Sequence, residues 1–440
     1  MVQSGRAGRE TETSRITDLC RSRVSRRLVT LFAVTAPKTW LHELILAAAR
    51  RDVPPHLLAP DPEKRAHDAL LVAGRHGIGG WMARELRDTP GLGQALKIQM
   101  QAVAAKTLGN HRRRVEEAQI SLEALAAAEI PALVVKGPSL VERYYGDPAL
   151  RFYADVDIVV PPDRLRDAIR VLEESGFALL DANWPLIIAD LRGQVHLHKE
   201  GIGTIDLHWH LINDARKRRT LHMRADEMWP ETLDATIGSV RCRVLAPADD
   251  IAYVCLHAAL AGCHRFLWLL DVKHMAAKPD VDWDAVARRM RRWRFGAGGY
   301  LVLALAREFA DAAVPLEVLR SIRPGPLTQA EFRRLVDRWD LSSDKGSRLR
   351  QLFFATAGDD VATRARLAYE TVVPSPGRYM AMADGARFFT LRRVTSGTVA
   401  RIRHKLGDDD DLAGKEFEPV GDRAEGRERY LRIVEDLARR

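Results

Sequence analysis

The chain is 440 residues long, enough for two or three domains, and it is 46% hydrophobic and 29% charged. That balance excludes a disordered chain, and no run of about eighteen uninterrupted apolar residues exists to cross a membrane. Subtracting 59 acidic from 68 basic residues leaves a net charge of +9, which favours anionic partners such as nucleotides without specifying a fold.

Residues 1–37 are rich in Arg and Ser. Within them "SRRLVTLFAVTA" (Ser25 to Ala36) sets an Arg pair before a short apolar run, as an export signal does. It lies late for a signal, and a helical pattern follows at once, so the segment reads as a weakly ordered extension with one short helix. Residues 38–130 form a helical region: apolar residues recur at three- and four-residue steps through "WLHELILAAARR" and "KRAHDALLVAGRHGIGGWMARELR". Pro54, Pro55, Pro60 and Pro62 separate those two helices, and a long amphipathic segment runs from about Leu92 to Ala128.

Residues 131–245 read as a small α/β core. "IPALVVKG" is a short strand closed by Gly137. A helix follows, with Pro138 in its first turn and Ser139 and Glu142 spaced as a capping box. "ADVDIVV" is the second strand and "PPDRLRDAIRVLEESGF" the next helix. "QVHLHKEGIGTIDLHWHL" alternates around a Gly-x-Gly turn and reads as a hairpin. From 246 to 406 the text is helical again, broken at "VVPSPGRY" (Val372 to Tyr379); 407–440 is an acidic loop, Asp408 to Asp411, and a last charged helix. The fold class is therefore α+β: a small mixed sheet flanked by N-terminal helices and a C-terminal helical region.

Asp155 and Asp157 are one residue apart on the second strand, so they point to one face while Val156 and Ile158 point to the other. Two carboxylates held that close repel, and burial raises the cost. A divalent metal removes the conflict, and Mg²⁺ takes one or two carboxylates together with phosphate oxygens. A third acid, Asp206, lies 206 − 157 = 49 residues on, between Ile205 and Leu207. Three acids on adjacent strands, behind a Gly-containing strand-to-helix turn, can hold two metal ions over a triphosphate. His196, His198, His208 and His210 crowd the same hairpin. If Lys199 opposes Gly203, then His196 opposes Asp206 and shares its face; a one-residue slip turns the two His pairs apart. A zinc site there is the alternative to Mg²⁺ at the acids.

"LVVKGPSLVERYYGDPALRFYADVDIVV", followed by "IDLHWHL" and "LHAALAGCHRFLWLLDVKHM", resembles the bacterial nucleotidyltransferase-like family of the polymerase β-type nucleotidyltransferase superfamily. The likeness covers about Leu44 to Arg393. It implies a metal-dependent transfer of a nucleotidyl group from a nucleoside triphosphate to an acceptor. Asp155, Asp157 and Asp206 would be catalytic and hold Mg²⁺ (or Mn²⁺). Lys136 and Gly137 stand where the wider superfamily has Gly-Ser, so the phosphates would meet a lysine, helped by Ser139 and Arg151. The alternatives are a non-catalytic or toxin–antitoxin-type protein keeping the fold, and an RNA-directed transferase. The acceptor, whether small molecule, sugar, peptide or protein, is not legible.

Each of these residues also has a plainer reading. Ser139 can cap its helix, and Arg151 can pair with Asp147 or Asp155. His208 and His210 share the Asp206 face and can contact substrate. His257, His264 and Asp271 recur at steps of seven along one apparent helix, so they form either a cleft wall or a satisfied core stripe. "ARKRRT" and "RRMRRWRF" can bind nucleic acid by phosphate contacts and stacking, though solvated helix faces are the commoner origin of such runs. The four cysteines form no Cys-x-x-Cys pair, which points away from a zinc ribbon and a disulfide framework and towards the cytoplasm.

Overall fold

The computed structural model describes residues 39–224, 226–342, 347–373, 375, 417 and 419–439. The export-like stretch and the acidic loop lie outside them, as does most of the Val372–Tyr379 break. Four helices come first: α1 (Trp40–Arg50), α2 (Pro62–Arg75), α3 (Gly79–Leu86) and the long α4 (Gln94–Ala127). Thr39 and Asp61 start the first two by accepting from the amides of His42 and Lys64. Gly80 lets α3 lie against the chain ahead of the second strand, because a Cβ there would come within 1.8 Å of the Ala149 carbonyl oxygen.

The core alternates strand and helix: β1 (Leu133–Val135), α5 (Gly137–Tyr144), β2 (Val156–Val159), α6 (Leu165–Glu174), β3 (Ala178–Leu179), α7 (Trp184–Asp190), β4 (Gln194–Lys199), β5 (Gly203–His208), α8 (Ala215–Thr220), β6 (Leu233–Ile237) and β7 (Val240–Val244). The strands form one mixed sheet in the order β3-β4-β5-β2-β1-β7-β6. β2 pairs with β5 in parallel, as β1 does with β7; the other pairings are antiparallel. The α+β class and the mixed sheet agree with the sequence. The β6–β7 hairpin is an addition, and its signal was the Gly238 turn at φ 58°.

The pleat divides the sheet between two cores. Val134, Val156, Ile158, Ile205 and Leu207 pack on Ala118, Leu122 and Leu125 of α4 and on Tyr430, Leu431 and Val434 of the terminal helix α17 (Arg423–Ala438). Leu133, Val135 and Val159 belong to the other core, with α9 (Pro247–Leu260) and α10 (Leu267–Ala276). The remaining helices are α11 (Trp283–Arg292), α12 (Gly296–Ala310), α13 (Leu316–Ser321), α14 (Pro326–Asp337), α15 (Ser347–Ala355) and α16 (Val361–Val372). No helix of the described residues is long and apolar enough to cross a membrane.

One expected helix is two. The stripe His257–His264–Asp271 assumed a single helix, but the chain turns between α9 and α10 with Gly262 at φ 79° and Cys263 at φ 48°. Gly262 is needed there, since a Cβ would lie 2.4 Å from the Gln351 side chain.

Candidate functional site

Parallel pairing of β2 with β5 sets Asp157 beside Asp206 and Val159 beside His208. Alternation then directs Asp157, Asp206 and His208 to one sheet face. Among the described residues these three offer ligand atoms that all lie within 4.8 Å of one another, a group that can hold a metal ion. Lys199 opposes Gly203, so His196 lies opposite Asp206, the first of the two registers the sequence left open.

Asp157 is buried, and its Oδ1 accepts from Lys136 and His208. Lys136 Nζ lies 3.0 Å away and His208 Nε2 2.9 Å away. Burial opposes the charge on Asp157, but the Lys136 ammonium and the His208 hydrogen bond overcome it and hold the carboxyl well below the usual range. Asp206 has no such cation. Burial and the neighbouring Asp157 push it up to about 6. Its Oδ2 accepts from Gln194 Nε2 at 3.0 Å, and His196 Nε2 lies 4.0 Å from Oδ1. The buried Asp181 accepts from the His196 amide at 2.5 Å and lies 3.2 Å from His196 Nδ1. That contact directs Nε2 of the imidazole towards Asp206 and Gln194.

The turn ahead of α5 is strained. Lys136 adopts φ 50°, ψ −138°, and Gly137 follows at φ 29°. A Cβ on Gly137 would lie 3.3 Å from the Asp155 carbonyl oxygen and from the Tyr153 ring. Tyr153 is itself fixed from α4: Asn110 Nδ2 donates to its carbonyl at 2.6 Å, and its hydroxyl meets His111 Nδ1 at 2.9 Å. The Tyr253 ring of α9 lies 5.8 Å from Lys136 Nζ. Sequence reasoning missed Asn110, His111, Tyr153, Asp181, Gln194 and Tyr253, because their roles come from packing across the sheet. Only Asp181 and Gln194, polar residues beside an apolar strand, carried a local signal.

Several sequence-selected residues need correction. The capping box does not form: Ser139 is the third residue of α5, and its buried Oγ has no hydrogen-bond partner. Asp155 precedes β2 by one residue, is half-buried, and lies outside the three-ligand group; burial and Asp157 raise its pKa. Arg151 and Asp271 pair with each other, at 2.7 and 2.9 Å, rather than facing phosphate and acceptor. Tyr145 completes that buried cluster by donating to Asp271 at 2.7 Å. His210 is locked away from the acids: its Nδ1 accepts from the Ile212 amide at 3.0 Å and its Nε2 donates to the Met223 carbonyl at 3.1 Å. His264 meets the Ala261 carbonyl at 2.8 Å and abuts Trp268. Of the expected cleft residues on α9 and beyond, His257 lies nearest the acids; burial and then the Lys136 charge depress its pKa. The basic patches are partly consumed internally, while Arg219, Arg288, Arg291, Arg292 and Arg294 stay exposed. Arg216 and Arg218 donate to carbonyls, Arg289 pairs with Asp249, and the fully buried Trp293 cannot stack on a base.

Two orphaned polar atoms bear on what the site can take. Ser139 Oγ, in the first turn of α5, is fully buried and without a hydrogen-bond partner. His208 Nδ1 is buried without a partner while its Nε2 meets Asp157. A metal-bound histidine ordinarily donates its other N–H to the protein, so His208 is better suited to support Asp157 than to bind the ion itself. That leaves two carboxylates, Asp157 and Asp206, side by side on one sheet face, a ligand set for a hard cation. No curated protein matches the chain. The model of a family described as uncharacterised nucleotidyltransferases matches residues 62–311, more than half of the 440, and spans the whole site from Lys136 to Asp271. With that match and this mixed sheet, the chain belongs to that uncharacterised nucleotidyltransferase family.

Proposed function

We propose that the protein is a Mg²⁺-dependent nucleotidyltransferase that moves a nucleotidyl group from a nucleoside triphosphate to an acceptor hydroxyl or phosphate. The observation that carries this reading is the register that pairs Asp157 with Asp206 beside the strained Lys136–Gly137 turn. Asp157 and Asp206 would hold the divalent ion, which supplies positive charge to the triphosphate and the acceptor oxygen. Asp155, half-buried one residue ahead of β2, is the candidate ligand of a second ion. Lys136, the first amides of α5 and Ser139 Oγ would bind the phosphates. The acceptor oxygen forms a bond to the α-phosphorus, the α–β bridging bond breaks, and pyrophosphate leaves with the electron pair. For a hydroxyl acceptor, Asp206 would take the acceptor proton.

Pyrophosphate release from the four nucleoside triphosphates with Mg²⁺ tests the reading, using fractionated cell extract as acceptor source and extract alone as the baseline. Wild type should release pyrophosphate, and Asp206→Asn should lose roughly 10²-fold or more. Equal rates for both proteins would overturn the assignment. A second reading, a non-catalytic protein that binds triphosphate, is favoured by the Lys136–Asp157 ion pair, which already neutralises one acid. Triphosphate binding without any turnover would select it.

A further inference from the structure

Lys136 and a metal ion need the same carboxylate. In this structure the Lys136 ammonium lies 3.0 Å from Asp157 Oδ1, the oxygen that also accepts from His208. Asp157 is one of the two carboxylates the proposed centre requires. An ammonium and a divalent cation on one buried carboxylate repel strongly, because little water screens them. Lys136 must therefore leave Asp157 when an ion binds there, and a buried ammonium leaves only for another anion.

Its surroundings hold Asp155, itself a candidate metal ligand, and the Tyr253 ring. The Lys136 backbone is pinned in the strained turn at φ 50°, with Gly137 packed on Tyr153, so only the side chain can move. That side chain is 16% exposed against 4% for Asp157, so it is the less enclosed partner of the pair. The Tyr253 ring, 5.8 Å from Nζ, offers an aromatic face that uses no carboxylate. The N-terminus of α5 and the orphaned Ser139 Oγ follow directly in the chain and attract phosphate oxygens.

We propose that Lys136 is an internal counter-ion that occupies Asp157 in place of the metal and yields it only when a polyphosphate supplies its ammonium with a new partner. Metal and triphosphate then bind as a coupled pair, and metal alone binds poorly. Linkage makes the coupling reciprocal, so triphosphate alone binds poorly too. The inference rests on reading the site as a metal–triphosphate centre.

Mn²⁺ titration, followed by the electron paramagnetic resonance of the free ion, separates the two ideas. Without nucleotide, wild type should bind Mn²⁺ weakly, and Lys136→Met should bind it at least about tenfold more tightly. A non-hydrolysable triphosphate analogue should tighten Mn²⁺ binding strongly in wild type and much less in Lys136→Met. Lys136→Gln keeps a neutral donor for Asp157, guards against misfolding of the Met variant, and should shift Mn²⁺ affinity in the same direction. Equal metal-only affinity in all three proteins, with wild type still binding the Mn²⁺–analogue complex, overturns the counter-ion role and leaves the site reading intact. No Mn²⁺ binding by any of them, even with the analogue, overturns both.

Discussion

Arg151 and Asp271 show how far a residue's neighbours in sequence can mislead. The two are 120 positions apart, so nothing local to "GDPALRFYADVD" announces the pair, and Arg151 reads as a phosphate ligand. Both side chains are almost fully buried. Asp271→Ala should cost about 3–5 kcal/mol, because it strands a guanidinium in the interior. Replacing both members with apolar residues of similar volume should cost much less. Chemical denaturation checks this; equal losses for single and double variants would refute the paired-charge account. His274 makes a second residue-scale prediction. It stacks on Tyr145 at 3.9 Å, its Nε2 is buried without a partner, and burial lowers its pKa to about 4. The unfolded chain protonates this imidazole from about pH 6.5 downward while the folded one stays neutral. Its contribution is therefore intact above pH 6.5 and declines by about 1.4 kcal/mol per pH unit down to about pH 4. His274→Phe should flatten that part of the stability–pH curve. An unchanged slope would show that His274 is not the titrating group. By contrast, Asp157 and Asp206 were legible as h-D-h patterns, since apolar neighbours on both sides dictate a buried strand and a common face.

At the scale of elements, the sequence was most informative where period and turn chemistry agree. The β4–β5 hairpin follows from strict alternation around Gly201-Ile202-Gly203, but alternation alone did not choose between its two registers. Elements that rely on tertiary partners were hidden. Among the described residues the two-residue β3 pairs only with β4, and the α9–α10 break depends on Gln351 from a distant helix. The β1–α5 turn was visible as "VVKG", but its strain was not, because a lysine rarely takes φ 50°. Gly137→Ala should place a Cβ 3.3 Å from the Asp155 carbonyl and the Tyr153 ring at an unfavourable φ. A loss of about 1–3 kcal/mol in stability is expected, with weaker Mn²⁺–triphosphate binding because Lys136 moves with the turn. Normal stability together with normal binding would mean that the turn tolerates a side chain and holds no phosphate.

For the whole molecule, the sheet is held between two cores, and the acids lie on the face that Leu133, Val135 and Val159 share with α9 and α10. The terminal helix α17 closes the opposite face. Tyr430 is fully buried, accepts from Trp209 Nε1 at 2.8 Å and donates to the Arg192 carbonyl at 2.6 Å. Deleting residues 423–440 uncovers Tyr430's site and those of Leu431 and Val434, so it should cost on the order of 5 kcal/mol. The ion pairs of α17 with Arg166 and Glu173 are largely solvated and add little. A truncated chain with the wild-type Tm would show that the helix is dispensable. The proposed function depends on the other face, and the most direct measurement there is calorimetric titration of a Mn²⁺–triphosphate analogue complex into wild type and Asp157→Asn. The account predicts saturable one-to-one binding by wild type and a loss of at least about tenfold in the variant, since a neutral amide replaces a carboxylate ligand of the metal. Equal binding by the two proteins would contradict the assignment of Asp157 to a metal–nucleotide centre.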